Sequence, residues 1–252
     1  MRLLLPPSET KRDGGDGAPL DLSALSGSEL TPLRNVLVDR VVALAAEPAS
    51  MMRALKLGPR LTPEVERNRR LWGSPTMPAI DRYTGVLFDA LEASTLSETS
   101  RGFAAETVVV HSALFGFVGA LDPIPAYRLS HDSRLPGISL RRHWQSALAA
   151  QLASHRGLIV DLRSEGYADL GRAPVGDDSV FVRVVSIGAD GRRRALNHFN
   201  KQAKGRLARA ILTSQPDLRS VPDLIGWAAQ EGLALDMGRG SDSRPGELEL
   251  LV

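Results

Sequence analysis

The chain has 252 residues, 43% hydrophobic and 24% charged, which is ordinary for one large globular α/β domain and enough to bury a core without staples. It contains no cysteine, which excludes disulfides, thiolate metal sites and cysteine nucleophiles. The formal net charge is only +2, so any electrostatic function must come from local clustering of charge.

Met-Arg-Leu-Leu-Leu at the start is too short for a signal-peptide core or a membrane span, and no later stretch reaches spanning length without charge. These features predict a soluble cytoplasmic protein with no membrane partner. Arg2 to Leu5 reads as an apolar strand stopped by Pro6 and Pro7, and Ser8 to Leu20 as a polar loop rich in Gly, Asp and Lys. Leu30 to Ala46 has helical apolar spacing, with Pro32 in the first turn. A second helix is predicted over Ala49 to Leu57 and is broken by Gly58-Pro59. Thr62-Pro63-Glu64 then begins a third as N-cap, first-turn proline and acidic first turn.

Further on, Thr107–His111, Leu158–Leu162 and Val180–Ile187 read as apolar strands, the last followed by the turn Ala189-Asp190-Gly191. Ser139–Ala153, His198–Leu212 and Leu224–Glu231 read as helices, and Glu247–Val252 alternates as a closing strand. Strands alternating with helices, without repeats or low-complexity linkers, predict a single α/β domain over residues 1–252. Its sheet is expected to be mixed and flanked by helices, with the basic helical stretch at about 49–73 as a possible appended hairpin.

Three segments carry chemistry. In the helix around Lys201, Lys201 and Lys204 are neighbours at i and i+3, and Arg206 and Arg209 form a second such pair. Gly205 inside that helix costs about 1 kcal/mol against alanine, which points to close approach of another backbone or a ligand. The plainer account is a solvated basic face. The second segment follows the Thr107–His111 strand. It places Ser112 near a strand end and Tyr127-Arg128 as a ring beside a forked cation, suited to a base or phosphate or, equally, to simple packing. In the third, Arg163, Glu165 and Tyr167 alternate after a strand and would share a side if the strand continued; a buried Arg163–Glu165 pair explains the same pattern. No nucleophile elbow is present, the five histidines lack ligand spacing, and His111 reads as a core residue. Asp13-Gly-Gly-Asp lacks the register of a calcium loop. No metal or cofactor is expected, and an iron-sequestering protein has no support in the spacing of carboxylates and histidines.

Several motifs in order resemble the YaaA family of bacterial peroxide-stress proteins. They are Pro7-Ser8-Glu9-Thr10-Lys11, Tyr83-Thr84-Gly85, Ser112-Ala-Leu-Phe-Gly running through Leu121-Asp122 to Pro125-Ala-Tyr-Arg-Leu, Ser164-Glu165-Gly166-Tyr167, Phe199-Asn-Lys-Gln-Ala-Lys-Gly and Gly246-Glu247-Leu248. The resemblance spans nearly the whole chain. It implies a mixed α/β fold with a positively charged cleft, DNA binding, a role in limiting oxidative DNA damage from free iron, and a helix-hairpin-helix element mapping to Met52–Trp72.

Two functions follow as expectations. The first is binding of DNA, duplex or distorted and single-stranded, without sequence preference. Arg53, Lys56, Arg60, Arg67, Arg69, Arg70, Lys201, Lys204, Arg206 and Arg209 would meet phosphates, and Tyr127 or Trp72 would stack on an exposed base. The second is an enzyme acting on a small anionic metabolite, phosphorylated or carboxylated, in a cleft lined by Ser8, Lys11, Ser112, Tyr127, Arg128, Arg163 and Tyr167. Glu165 is its candidate general base.

Overall fold

A computed structural model describes residues 1–187, 193–195, 199–237 and 246–252. The turn at Ala189-Asp190-Gly191 and His198 lie outside the described residues. The strands are β1 (Arg2–Leu5), β2 (Gly17–Pro19), β3 (Pro75–Pro78), β4 (Val108–Ser112), β5 (Gly116–Gly119), β6 (Pro123–Ile124), β7 (Ile159–Asp161), β8 (Ser179–Ile187), β9 (Arg193–Ala195), β10 (Leu235–Met237) and β11 (Glu247–Leu251). The helices are α1 (Thr31–Ala45), α2 (Pro48–Leu55), α3 (Pro63–Arg69), α4 (Ala79–Arg82), α5 (Val86–Leu91), α6 (Glu98–Thr107), α7 (Leu140–Ser154), α8 (Glu165–Ala168), α9 (Phe199–Ser214) and α10 (Val221–Gln230). This is the expected mixed α/β architecture.

The main sheet runs β10-β11-β8-β7-β1-β4-β5, with β9 paired to β8. Five neighbours, β11, β8, β7, β1 and β4, are parallel, while β5 and β10 close the two edges antiparallel. Leu3, Leu4, Leu5, Val108, Val110 and Val160 are essentially inaccessible, because a parallel strand covered on both faces needs a continuous apolar run. β1 lies in the middle. The chain leaves it towards β4 on one side and later fills β7, β8 and β11 on the other. The carboxyl ends of β1, β4 and β7 therefore meet at a reversal of strand order, where open α/β sheets form crevices.

Local rules account for most helix ends. Ser139 and Ser220 cap α7 and α10 with their hydroxyls, and α10 has a full capping box with Asp223. Thr62 departs from expectation. Its backbone is already helical and its hydroxyl donates to the Pro59 carbonyl at 2.7 Å, so it gives α3 no side-chain cap. The alternating Arg163–Tyr167 strand does not form either. β7 ends at Asp161 and the chain turns into α8, so these three side chains do not share a strand face.

Gly205 shows why its helix accepts a glycine. A Cβ there would press into the Leu87 carbonyl oxygen and the Ala90 side chain, so α9 and α5 pack backbone to backbone. The close approach is to another helix. Gly205→Ala is expected to cost about 2–3 kcal/mol through overpacking, read as a lower urea midpoint with an unchanged slope.

Candidate functional site

The loop after β1 turns Lys11 inward, leaving the residue only 7% exposed. Its backbone bridges to Tyr83, which holds the loop against the segment before α5. Nζ donates to the carbonyls of Ser8 at 2.8 Å and Glu9 at 3.4 Å. It lies 3.9 Å from the Tyr127 ring centroid and 5.3 Å from that of Tyr83. No carboxylate among the described residues reaches ion-pair distance. Burial, with the Arg128 guanidinium nearby, lowers the lysine to about 7.

Beneath the lysine runs a hydroxyl relay. Tyr83 and Tyr127 share a hydrogen bond of 2.8 Å, and Tyr127 and Ser112 one of 2.7 Å. Ser112 Oγ also accepts from the backbone N–H groups of Leu114 and Phe115. A hydroxyl oxygen has two lone pairs, so Ser112, which already accepts twice, must donate to Tyr127, while the Tyr83–Tyr127 bond can run in either direction. One phenol proton of the Tyr83–Tyr127 pair therefore has no acceptor among the described residues. Burial raises both phenols, Tyr127 to about 12 and Tyr83 well above its ordinary range. Ser112 bonds to a tyrosine and two amides rather than to a histidine, which is not a hydrolase arrangement.

Towards β7 and β8 the floor is ionic. Arg163 is fully buried and pairs with Asp161 through Nε at 2.9 Å and Nη2 at 2.6 Å. Its Nη1 donates to the Gly171 carbonyl and to His111 Nδ1, both at 2.9 Å. His111 is thus held neutral with its proton on Nε2, a buried atom with no partner among the described residues. Desolvation, then Arg163 and His131, push that imidazole well below its usual range. Lys204 is 4% exposed, donates to the Arg163 carbonyl at 3.1 Å and lies 4.9 Å from the Phe181 ring centroid; burial lowers it to about 8.

The rim joins this floor to the α2–α3 hairpin. Asn68 of α3 takes the Arg128 N–H at 2.8 Å and gives its amide to the Arg128 carbonyl at 2.7 Å. Arg134 N–H donates to the Ala54 carbonyl at 2.7 Å, and Lys56 pairs with Asp132 at 2.6 Å. The Arg128 guanidinium closes over the site by pairing with the Glu9 carboxylate. Tyr167 and His131 pack edge to face at 5.0 Å beside Gly166, where a Cβ would enter the His131 ring.

Of the seven residues predicted to line the anion cleft, Ser8, Lys11, Ser112, Tyr127, Arg128 and Tyr167 gather here. Arg163 lies under them, paired with Asp161 and not with Glu165. Glu165 is exposed on α8 and pairs with Arg183 at 3.2 Å. Tyr127 is fully buried, so its ring packs on Lys11 and is not presented to a base. The four predicted cations of α9 separate. Lys204 points inward, Lys201 and Arg206 are exposed, and Arg209 binds the Leu91 carbonyl and Glu92. Sequence reasoning gave no site role to Glu9, Asn68 or Asp161; the Asp-x-Arg spacing at Asp161 and Arg163 was the one usable signal.

Between α8 and β8 opens a further cavity of about 250 Å³, lined by Asp161, Glu165, Asp169, Arg172, Phe181 and Glu247 among others. Its carboxylates are matched by arginines, so it is not a basic cleft. No cluster of metal-ligating side chains occurs among the described residues, and no helix among them is long and apolar enough to cross a membrane.

A family model described as "Peroxide stress protein YaaA" matches residues 1–237. Several curated relatives match across nearly their full length. A UPF0246 protein of Corynebacterium glutamicum is 42% identical over 241 residues, covering 94% of this chain and 95% of that one. One from Corynebacterium efficiens is 41% identical over 245 residues, covering 95% and 96%. One from Streptomyces coelicolor is 35% identical over 257 residues, covering 100% and 98%.

Proposed function

The chain belongs to the peroxide stress protein YaaA family, and from that premise we propose that it is a cytoplasmic nucleic-acid-binding protein that limits oxidative DNA damage from free iron. The observation that carries this reading is the α2–α3 hairpin. Residues 48–73 hold six basic side chains against two acidic ones, and Arg53, Lys56, Arg60, Arg69 and Arg70 are exposed. Asn68 ties that basic element to Arg128 beside Lys11 at the strand ends. In this reading the segment acts as a helix-hairpin-helix element meeting the phosphate backbone. Its turn, Gly58-Pro59-Arg60, has fewer N–H donors than a Gly-x-Gly turn, because Pro59 has none. Side-chain charge therefore does most of the binding.

Contact with about five phosphates gives a slope of about −4 to −5 in log K against log salt, with little dependence on sequence. Fluorescence anisotropy with duplex, bubble and single-stranded oligonucleotides measures it. The double variant Arg60→Glu, Arg70→Glu is expected to weaken binding at least tenfold at 50 mM salt while leaving the urea midpoint in place. No affinity for any form at low salt would end this reading.

The burial of Lys11 favours a second reading, a site for a small anionic metabolite in the same hollow. A thermal-shift screen against nucleotides and phosphorylated metabolites tests it, because a specific ligand raises the melting midpoint at concentrations above its dissociation constant.

A further inference from the structure

We propose that Lys11 is a nucleophilic amine that forms an imine with a phosphorylated aldehyde entering beneath the Ser8–Thr10 loop. This deepens the second reading and extends to the first, since damaged nucleic acid also carries such a group. Four features of the geometry lead there. The amine has carbonyl oxygens and aromatic faces around it and, among the described residues, no carboxylate at ion-pair distance. The groups whose charges reach it, Arg128, Glu64, Arg67 and Glu9, belong to pairs with one another or with Asp13. Its cover is thin, because Glu9 and Thr10 are exposed and Ser8 is half-buried. Arg128, whose charge reaches Lys11, is held by an exposed carboxylate that a phosphate can displace.

The step balances within the site. The Nζ lone pair attacks the carbonyl carbon, and the C–N bond forms as the carbonyl π-bond opens onto oxygen. Nζ gives up a proton, and the carbonyl oxygen gains one to become a hydroxyl. One phenol proton of the Tyr83–Tyr127 pair is taken by no other described group, so that pair is the donor placed to supply it, and the proton released by Nζ restores the phenol. The carbinolamine then loses water to give the imine. A lysine held near neutrality has a large unprotonated fraction at pH 7, which an exposed lysine lacks. Lys204 is also buried, but it sits deeper, under the Arg163 carbonyl and beside the Asp161 charge.

The test uses the whole chain with cyanoborohydride and two probes, a duplex holding one abasic site and glyceraldehyde 3-phosphate, followed by peptide mapping. The chain has four lysines, Lys11, Lys56, Lys201 and Lys204, so assignment is direct. The expected result at pH 7 is at least tenfold more reduced adduct on Lys11 than on any other lysine. Tyr83→Phe should slow its formation at least tenfold while leaving the protein folded. Trapping by the duplex identifies nucleic acid as the source of the aldehyde, trapping by the triose phosphate alone identifies a small metabolite, and either supports the amine role. Adduct spread over Lys56 and Lys201, or none on Lys11 with either probe, would overturn it. Binding of an intact duplex, measured alongside, reports on the nucleic-acid reading separately.

Discussion

Asp161→Ala is expected to destabilise the protein by about 3–5 kcal/mol, among the largest effects of any single substitution at the strand ends. The reason is the partner left behind. Arg163 has no exposed surface, and Asp161 accepts from its Nε, its Nη2 and its backbone N–H. Removing the carboxylate strands a guanidinium where water cannot reach it, and that, rather than the net worth of the pair, sets the cost. His111 Nδ1 and the Gly171 carbonyl still receive Nη1, but neither carries a charge to offset it.

The double variant Asp161→Leu, Arg163→Met separates the two contributions. With both charges gone, at least half of the lost stability should return. The remainder reflects His111 Nδ1 and the Gly171 carbonyl, each left without its donor at about 1–3 kcal/mol. Urea denaturation of Asp161→Leu, Arg163→Met and their double completes the cycle, with Asp161→Ala measured beside it. A loss below 1 kcal/mol for Asp161→Ala would mean the pair does not hold this floor. Because Lys204 donates to the Arg163 carbonyl, the same variants should also disturb the α9 side of the hollow.

How much of this was legible beforehand follows from where residue type and environment agree. β1, β4 and β7 were readable because buried parallel strands are unbroken apolar runs. α1, α7 and α9 were readable because their apolar residues repeat at helical spacing. β5, Gly-Phe-Val-Gly, escaped notice because two of its four residues are glycines, yet it pairs register-perfect with β4 from Val109 to Ser112. The gathering of Ser8, Lys11, Ser112, Tyr127, Arg128 and Tyr167 was anticipated from their shared strand-end placement. The direction of the cations was not. A sequence marks lysine and arginine as surface charge, whereas this fold buries Lys11, Lys204, Arg34, Arg82 and Arg163. Arg34 donates to the Ser26, Phe115 and Phe117 carbonyls, and Arg82 to those of Arg12, Pro75 and Ile124, so both fasten loops and neither awaits a phosphate. Such roles depend on carbonyls brought near from distant positions, which local patterning does not encode.

The second large effect concerns pH. Lys11 titrates near 7 when folded and near 10.5 when unfolded, and Lys204 near 8 against the same 10.5. Between those values the unfolded chain holds protons that the folded one has released, so stability rises with pH. Below pH 7 the lysines are charged in both states and the burial penalty is felt in full. A buried histidine and three buried tyrosines bound the window. His111, lowered in the fold, takes up a proton on unfolding below about 6.5, so acid is destabilising there. Tyr83, Tyr127 and Tyr167, raised by burial, lose protons first in the unfolded state above about 10, so stability falls again in stronger base. The expected profile climbs by about 3–6 kcal/mol from pH 7 to pH 10 and peaks near pH 10, alkaline of the usual maximum between pH 5 and 8. Lys11→Met should raise stability at pH 7 and flatten the climb, because methionine fills the space between the two tyrosine rings without a charge to desolvate. The Ser8 and Glu9 carbonyls lose a donor, but they lie in an exposed loop where water replaces it. Urea midpoints from pH 6 to pH 11 for the wild type and this variant decide the matter. A wild-type curve that is level or falling between pH 7 and 10, or a variant curve parallel to it, would show that the lysine keeps its proton in the fold and that the amine beneath the Ser8–Thr10 loop is an ordinary ammonium.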